Sequence, residues 1–125
     1  MKVFINMIKL IRRILKEQSE EWIDISPEDY YDLLKYVNGN GSLIKKIPQY
    51  KGKKIKITGD LDLSRDTKVS NIDSINYITG NLNIDNTNIS YFDKDNVKGR
   101  FSNMYSKMYK IEKKKILNQK LNYLY

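Results

Sequence analysis

Residues 57–63 read Ile57-Thr58-Gly59-Asp60-Leu61-Asp62-Leu63, and residues 78–84 read Ile78-Thr79-Gly80-Asn81-Leu82-Asn83-Ile84. Aligned further, the two copies keep Ile57 with Ile78, Gly59 with Gly80, Leu61 with Leu82, Leu63 with Ile84, Thr67 with Thr87, Val69 with Ile89 and Asp73 with Asp93. The spacing falls from 21 to 20 residues because the first copy has "SRD" where the second has "DN". A third, thinner copy follows at Val97-Lys98-Gly99-Arg100-Phe101. Apolar residues at every second position, bounded by Gly and Asn, spell short half-buried strands.

A period near twenty is the signature of an array in which one short strand per turn stacks on the next, because a single turn cannot bury its own apolar face. Leu61 and Leu63 then point to one side, with Leu82 and Ile84 above them. Asp60, Asp62, Asn81 and Asn83 fall on the outward side, a polar face for a protein partner. Gly59, Gly80 and Gly99 stand where the chain enters each strand. The expected fold class is α+β: a short parallel β-solenoid of about three turns flanked by N-terminal helices and a C-terminal helix. Asn86, Asn88, Asn96, Thr67 and Thr87 fall where turns need side chains to satisfy backbone groups. A calcium site from Asp60, Asp62, Asp66 and Asp85 is the weaker reading, since these acids lack the compact spacing of a calcium loop.

The frame Ile-x-Gly-x-Leu-x-Ile/Leu, with a further apolar residue some way on, resembles the repeats of the leucine-rich-repeat and receptor-L-domain type. It is also similar to short "GDLDLS" and "GNLNI" repeats of uncharacterised bacteriophage proteins. The resemblance spans residues 44–101 and implies a parallel β-solenoid, leucine-rich-repeat-like, in a phage-encoded protein. It transfers no binding residue, because such scaffolds host many functions.

The flanks read differently. Phe4, Ile8, Ile11 and Leu15, with Met7, Leu10 and Ile14 beside them, give residues 2–18 the period of an amphipathic helix. Its apolar side wants cover, first from the protein's own core, next from another protein and last from a membrane surface. Trp22 beyond it reads as a core or docking residue. "SPEDYYDLLKYVNGNG" carries the marks of a helix start at Ser26 (N-cap), Pro27 and Asp29, a buried stripe of Tyr30, Leu33, Leu34 and Val37, and a stop at Asn38-Gly39. Residues 102–125 read as a basic helix with Met104, Met108 and Ile111 on one stripe, resumed by Ile116, Leu117, Leu121 and Leu124. The organisation is thus 1–43 helical, 44–101 repeats and 102–125 basic helix, in one compact unit.

The chain of 125 residues contains no Cys and no His, which removes thiolate and imidazole catalysis and the metal sites built on those ligands. There is no phosphate-cradling Gly loop or nucleophile motif, so the expectation is a non-enzymatic interaction or structural protein with no cofactor. The net charge of +8 is unevenly distributed. Residues 17–34 hold seven acids and no base, while 101–125 hold six Lys against one Glu. Arg12, Arg13, Lys113, Lys114, Lys115 and Lys120 are therefore the candidate anion contacts, and phosphate-backbone binding, with Tyr105, Tyr109 and Tyr123 stacking on bases, is the alternative function. The basic surplus also fits plain Lys-rich codon usage. A protein partner comes first, homo-oligomer formation is a second outlet for the apolar helices, and a membrane ranks lowest. The N-terminal apolar run is broken by Lys9, Arg12 and Arg13 and has no cleavage site, so the expected location is the host cytoplasm or a virion rather than the secretory route.

Overall fold

The computed structural model describes residues 6–12 and 21–124. Local chemistry sets the first long element. Ser26 is extended (φ −68°, ψ 155°), and its hydroxyl accepts the Asp29 N–H at 3.2 Å, capping helix α1 (Pro27–Tyr36). The helix ends where Asn38 (φ 54°) and Gly39 (φ 80°) turn left-handed and the Gly39 N–H donates to the Leu34 carbonyl at 2.7 Å. Tyr30, Leu34 and Val37 face inward, as their spacing requires.

The remaining chain is a mixed α/β fold built on two parallel sheets of three strands each. The first holds β1 (Trp22–Ile25), β2 (Lys54–Ile57) and β4 (Ile75–Ile78) in the order β1-β2-β4. The second holds β3 (Leu61–Asp62), β5 (Leu82–Asn83) and β6 (Phe101–Ser102) in the order β3-β5-β6. Registry follows the repeat: Leu61 pairs with Leu82 and Leu82 with Phe101, while Ile57 pairs with Ile78 and a bridge joins Ile78 to Val97. The weak third copy therefore occupies the next level of both sheets. The turn after α1 is tied to the 70–71 turn, where Gly41 N–H donates to Asn71 O at 3.1 Å and Ser70 N–H to Gly39 O at 2.9 Å. Ile55, Ile57, Leu61, Leu63, Val69, Ile72, Ile78, Leu82, Ile84 and Ile89 fill the interior, all nearly or wholly buried. The parallel β2–β4 pairing contains a bulge at Asn76, whose side-chain oxygen accepts the Ile55 N–H at 2.9 Å.

Glycine is required at the strand entries because successive turns touch there. A Cβ on Gly80 would lie 2.5 Å from the Gly59 carbonyl oxygen and 2.2 Å from an Asp60 carboxylate oxygen. The one extra residue of the first copy also finds its reason. It falls at Asp66, whose carboxylate accepts the Tyr31 hydroxyl at 3.0 Å, tying the first corner to α1. The second copy, lying a level further from α1, lacks it.

Three features differ from the sequence reading. Strand β1 lies between the two expected helices, where the sequence reading placed no strand; only Ile23 and Ile25 alternate there, too short a signal to separate from noise. Its outer residues meet β2 in cross-strand pairs, with Glu21 3.4 Å from Lys53, Asp24 4.0 Å from Lys56, and the Trp22 ring under the Lys54 and Lys56 ammoniums. Two of the acids in 17–34, Glu21 and Asp24, are thus matched by lysines at the next strand. Second, Ser102 joins Phe101 in β6, and the last helix, α2, starts later than residue 102, at Lys107–Leu124. Third, residues 6–12 are helical, but Met7, Leu10 and Ile11 are exposed, so within the described residues the core does not cover that stripe. Phe4, Ile14 and Leu15 lie outside the described residues.

Candidate interaction surfaces

The outward sheet residues come first. Asp60 and Asn81 are exposed, yet each spends an oxygen on the level above: Asp60 Oδ1 accepts the Asn81 N–H and Asn81 Oδ1 accepts the Arg100 N–H, both at 2.7 Å. Asp62 and Asn83 form the matching lower pattern, accepting the Ser64 and Asp85 N–H groups within their own turns at 2.9 Å. Those bonds with Ser64 hold the Asp62 carboxyl below the usual carboxylate range. The four residues share a face, but the structure uses them as rungs between turns and as local caps. Asp85 continues the pattern, accepting the Met104 N–H at 2.8 Å and the Ser102 hydroxyl at 2.5 Å. Asn88 and Thr87 behave alike, bonding the Thr67 and Ile84 carbonyls. Among the described residues no group of three or more acids gathers in a way that could hold a metal ion.

An open cleft of about 880 Å³ lies between the C-terminal half of α1 and the 64–69 corner, lined by Tyr31, Lys35, Asn38, Arg65, Asp66 and Lys68 among others. Its one carboxylate is held by Tyr31, and the Lys35 ammonium sits 4.5 Å from the centre of the Tyr31 ring. The cleft is a seam between cap and stack.

The cationic candidates divide between two elements. Arg12 is exposed on the helical segment 6–12, and Arg13 lies outside the described residues. Lys113, Lys114, Lys115 and Lys120 all sit on α2 and are exposed. Sequence reading placed a helix here but missed how it is mounted. Tyr105 is left-handed (φ 57°), turning the chain out of the stack, and the buried Ser106 caps α2 by accepting the Tyr109 N–H at 3.1 Å. The free N–H groups of the first turn are then used to dock it: Lys107 N–H donates to Thr87 O at 3.0 Å and Met108 N–H to Ile89 O at 2.9 Å. Ser106 stands three residues before that Tyr109 N–H, so an N-cap signal was present in the sequence. Met108 is the last buried side chain, and every residue from 110 to 123 is exposed.

That leaves an 18-residue helix, about 27 Å long, joined among the described residues to the body through its first turn. Ile116 and Leu117 are more than half exposed and Leu121 is 44% exposed. Tyr105 and Tyr109 pack edge to face at 5.5 Å, and Lys113 lies over Tyr109. No helix among the described residues is long and apolar enough to cross a membrane. No protein-family model, curated protein or solved structure matches the chain.

Proposed function

We propose that the protein is a non-enzymatic interaction module in which a short leucine-rich-repeat-like solenoid acts as a rigid mount for a docking helix, α2. The observation that carries this reading is the exposure of Ile116, Leu117 and Leu121 on a helix anchored by its first turn, beside repeats whose Leu61, Leu63, Leu82 and Ile84 are buried. Exposed aliphatic residues grouped on one element mark an interaction site, and a lone helix presents its anchors at three- and four-residue spacing. The sheet face of Asp60, Asp62, Asn81 and Asn83 serves the stack itself, so the partner surface moves to α2.

The test is capture from the native host with the wild-type chain and with Leu117→Gln/Leu121→Gln as bait. A protein retained by the wild type at moderate salt and lost from the variant supports the reading; equal retention by both removes α2 as the docking element. The rival reading has α2 and Arg12 contacting phosphates, with the lysines beside Tyr109 and Tyr123 supplying charge and stacking. It requires retention on an oligonucleotide that falls steeply with salt, and it gives Leu117 and Leu121 no role.

A further inference from the structure

The distribution of charge around α2 is informative. At 3.6 residues per turn, Lys110, Lys113, Lys114 and Lys120 lie on the same half of the helix as Tyr109, Ile116, Leu117 and Leu121, with no acid among them, while the other half mixes Lys107 and Lys115 with Glu112, Asn118, Gln119 and Asn122 beside Ile111 and Tyr123. The face that offers apolar anchors is therefore also the cationic one. Its occupant must combine negative charge with apolar or aromatic surface. An oligonucleotide supplies the charge but leaves Leu117 and Leu121 without partners. A bilayer would bury Lys113 and Lys120 in the middle of the inserted face, and a second α2 would set lysine against lysine.

Among the described residues, the outer side of α1 has the complementary chemistry. It presents Glu28, Asp29 and Asp32, with one lysine, Lys35, around Tyr36, which is 79% exposed. None of these three carboxylates forms an ion pair among the described residues, whereas Glu21 and Asp24 are matched by Lys53 and Lys56. We propose that α2 of one copy docks on the outer face of α1 of a second copy, with Leu117 and Leu121 against Tyr36 and the lysines against Glu28, Asp29 and Asp32. This rests on the docking-helix reading and names its partner. α1 sits beside the first level of the stack and α2 leaves from the last, so the contact is head-to-tail and leaves a free surface of each kind for further copies. One helix on another buries less than the roughly 1,200 Å² of a standard interface, so the association is weak. The charge of +8 opposes approach at low ionic strength, but a Debye length of about 8 Å at 0.15 M salt screens that repulsion more than it screens contacts at the interface.

Sedimentation velocity on the full chain at physiological salt tests this. The expected result is a sedimentation coefficient that rises from about 10 μM to about 1 mM protein. Glu28→Lys/Asp32→Lys and Lys113→Glu/Lys120→Glu should each weaken association about tenfold or more, and mixing the two variants should restore a pair, because each reversed face meets its reversed complement. The restoration excludes misfolding as the cause of either loss. A wild type that is monomeric throughout, an α1 variant that associates like the wild type, or mixed variants that stay apart would each overturn the proposal. A monomeric wild type that shifts on a 20-nucleotide strand would overturn it in favour of phosphate binding. None of these results bears on capture of a different protein through Leu117 and Leu121, so the docking-helix reading stands or falls separately.

Discussion

The stack from Trp22 to Ser106 and the helix α2 are adjacent in sequence and opposite in design. In the stack, each level is tied to the next by backbone ladder bonds such as Leu61 N–H to Asn81 O and Leu82 N–H to Arg100 O, both 2.8 Å, and most of its aliphatic side chains, Leu61, Leu63, Leu82 and Ile84 among them, are buried. In α2, Ile111, Ile116, Leu117 and Leu121 are exposed. Similar residue types, Ile and Leu, thus hold the fold in one region and are available to a partner in the other. The sharpest break of this contrast is Gly39→Ala. Gly39 has φ 80°, and an added Cβ would lie 1.9 Å from the Lys68 carbonyl oxygen, so both backbone conformation and space forbid it. A loss of roughly 3–5 kcal/mol is expected in urea denaturation, enough to unfold a marginal domain. A stable variant would mean that the junction of α1 with the next level is looser than described.

Smaller effects sharpen the comparison inside the stack. Asp60→Ala leaves the Asn81 N–H without its acceptor and should cost about 1–2 kcal/mol, reduced by the exposure of the site to water. Asp60→Asn keeps an oxygen there and should cost less than half as much. If both variants were equally harmless, the residue would be free for a partner and the outward-face reading would regain ground. Tyr30 offers a pH readout. It is fully buried, its hydroxyl 2.8 Å from Ser74 Oγ, and burial pushes its ionisation far above the ordinary value for tyrosine. A raised folded-state pKa means the stabilisation is present below the unfolded value near 10 and is lost as pH rises above it. Tyr30→Phe should therefore lose about 1 kcal/mol at neutral pH with the Ser74 bond. Its stability should then decline less steeply than the wild type between about pH 10 and 12. Parallel curves for the two proteins would show that Tyr30 ionises freely.

Much of the stack was legible because periodicity is a physical constraint: residues one turn apart must occupy one register, so Leu61, Leu82 and Phe101 could be matched before their pairing was seen. Helix α1 was legible from its ends, since Ser26, Pro27 and Gly39 each answer a local backbone need. Strand β1 was hidden because four residues carry too little pattern, and what makes them a strand is the preformed edge of β2. The sheet face was legible in part. Alternation tells which residues point outward, but it cannot tell that Asp60 and Asn81 reach along the stack to the next turn's N–H. For α2 the composition announced a basic helix, while its mounting rests on the Thr87 and Ile89 carbonyls and on the buried Met108, which composition does not reveal.

The smallest predicted effect tests the other half of the comparison. Leu117→Gln/Leu121→Gln removes two aliphatic side chains, which in the stack would each cost several kcal/mol, as Leu82→Ala should at about 2–5. On α2 these side chains already face water in the isolated chain and Gln matches Leu closely in helix propensity, so the melting temperature should move by no more than about 2 °C. A drop comparable to that of Leu82→Ala would mean that α2 packs on its own body in solution, and its apolar face would then belong to the fold instead of to a partner. An unchanged melting temperature with lost association would separate the two roles of leucine in this chain, because only an interface made between molecules can be removed without cost to the molecule that carries it.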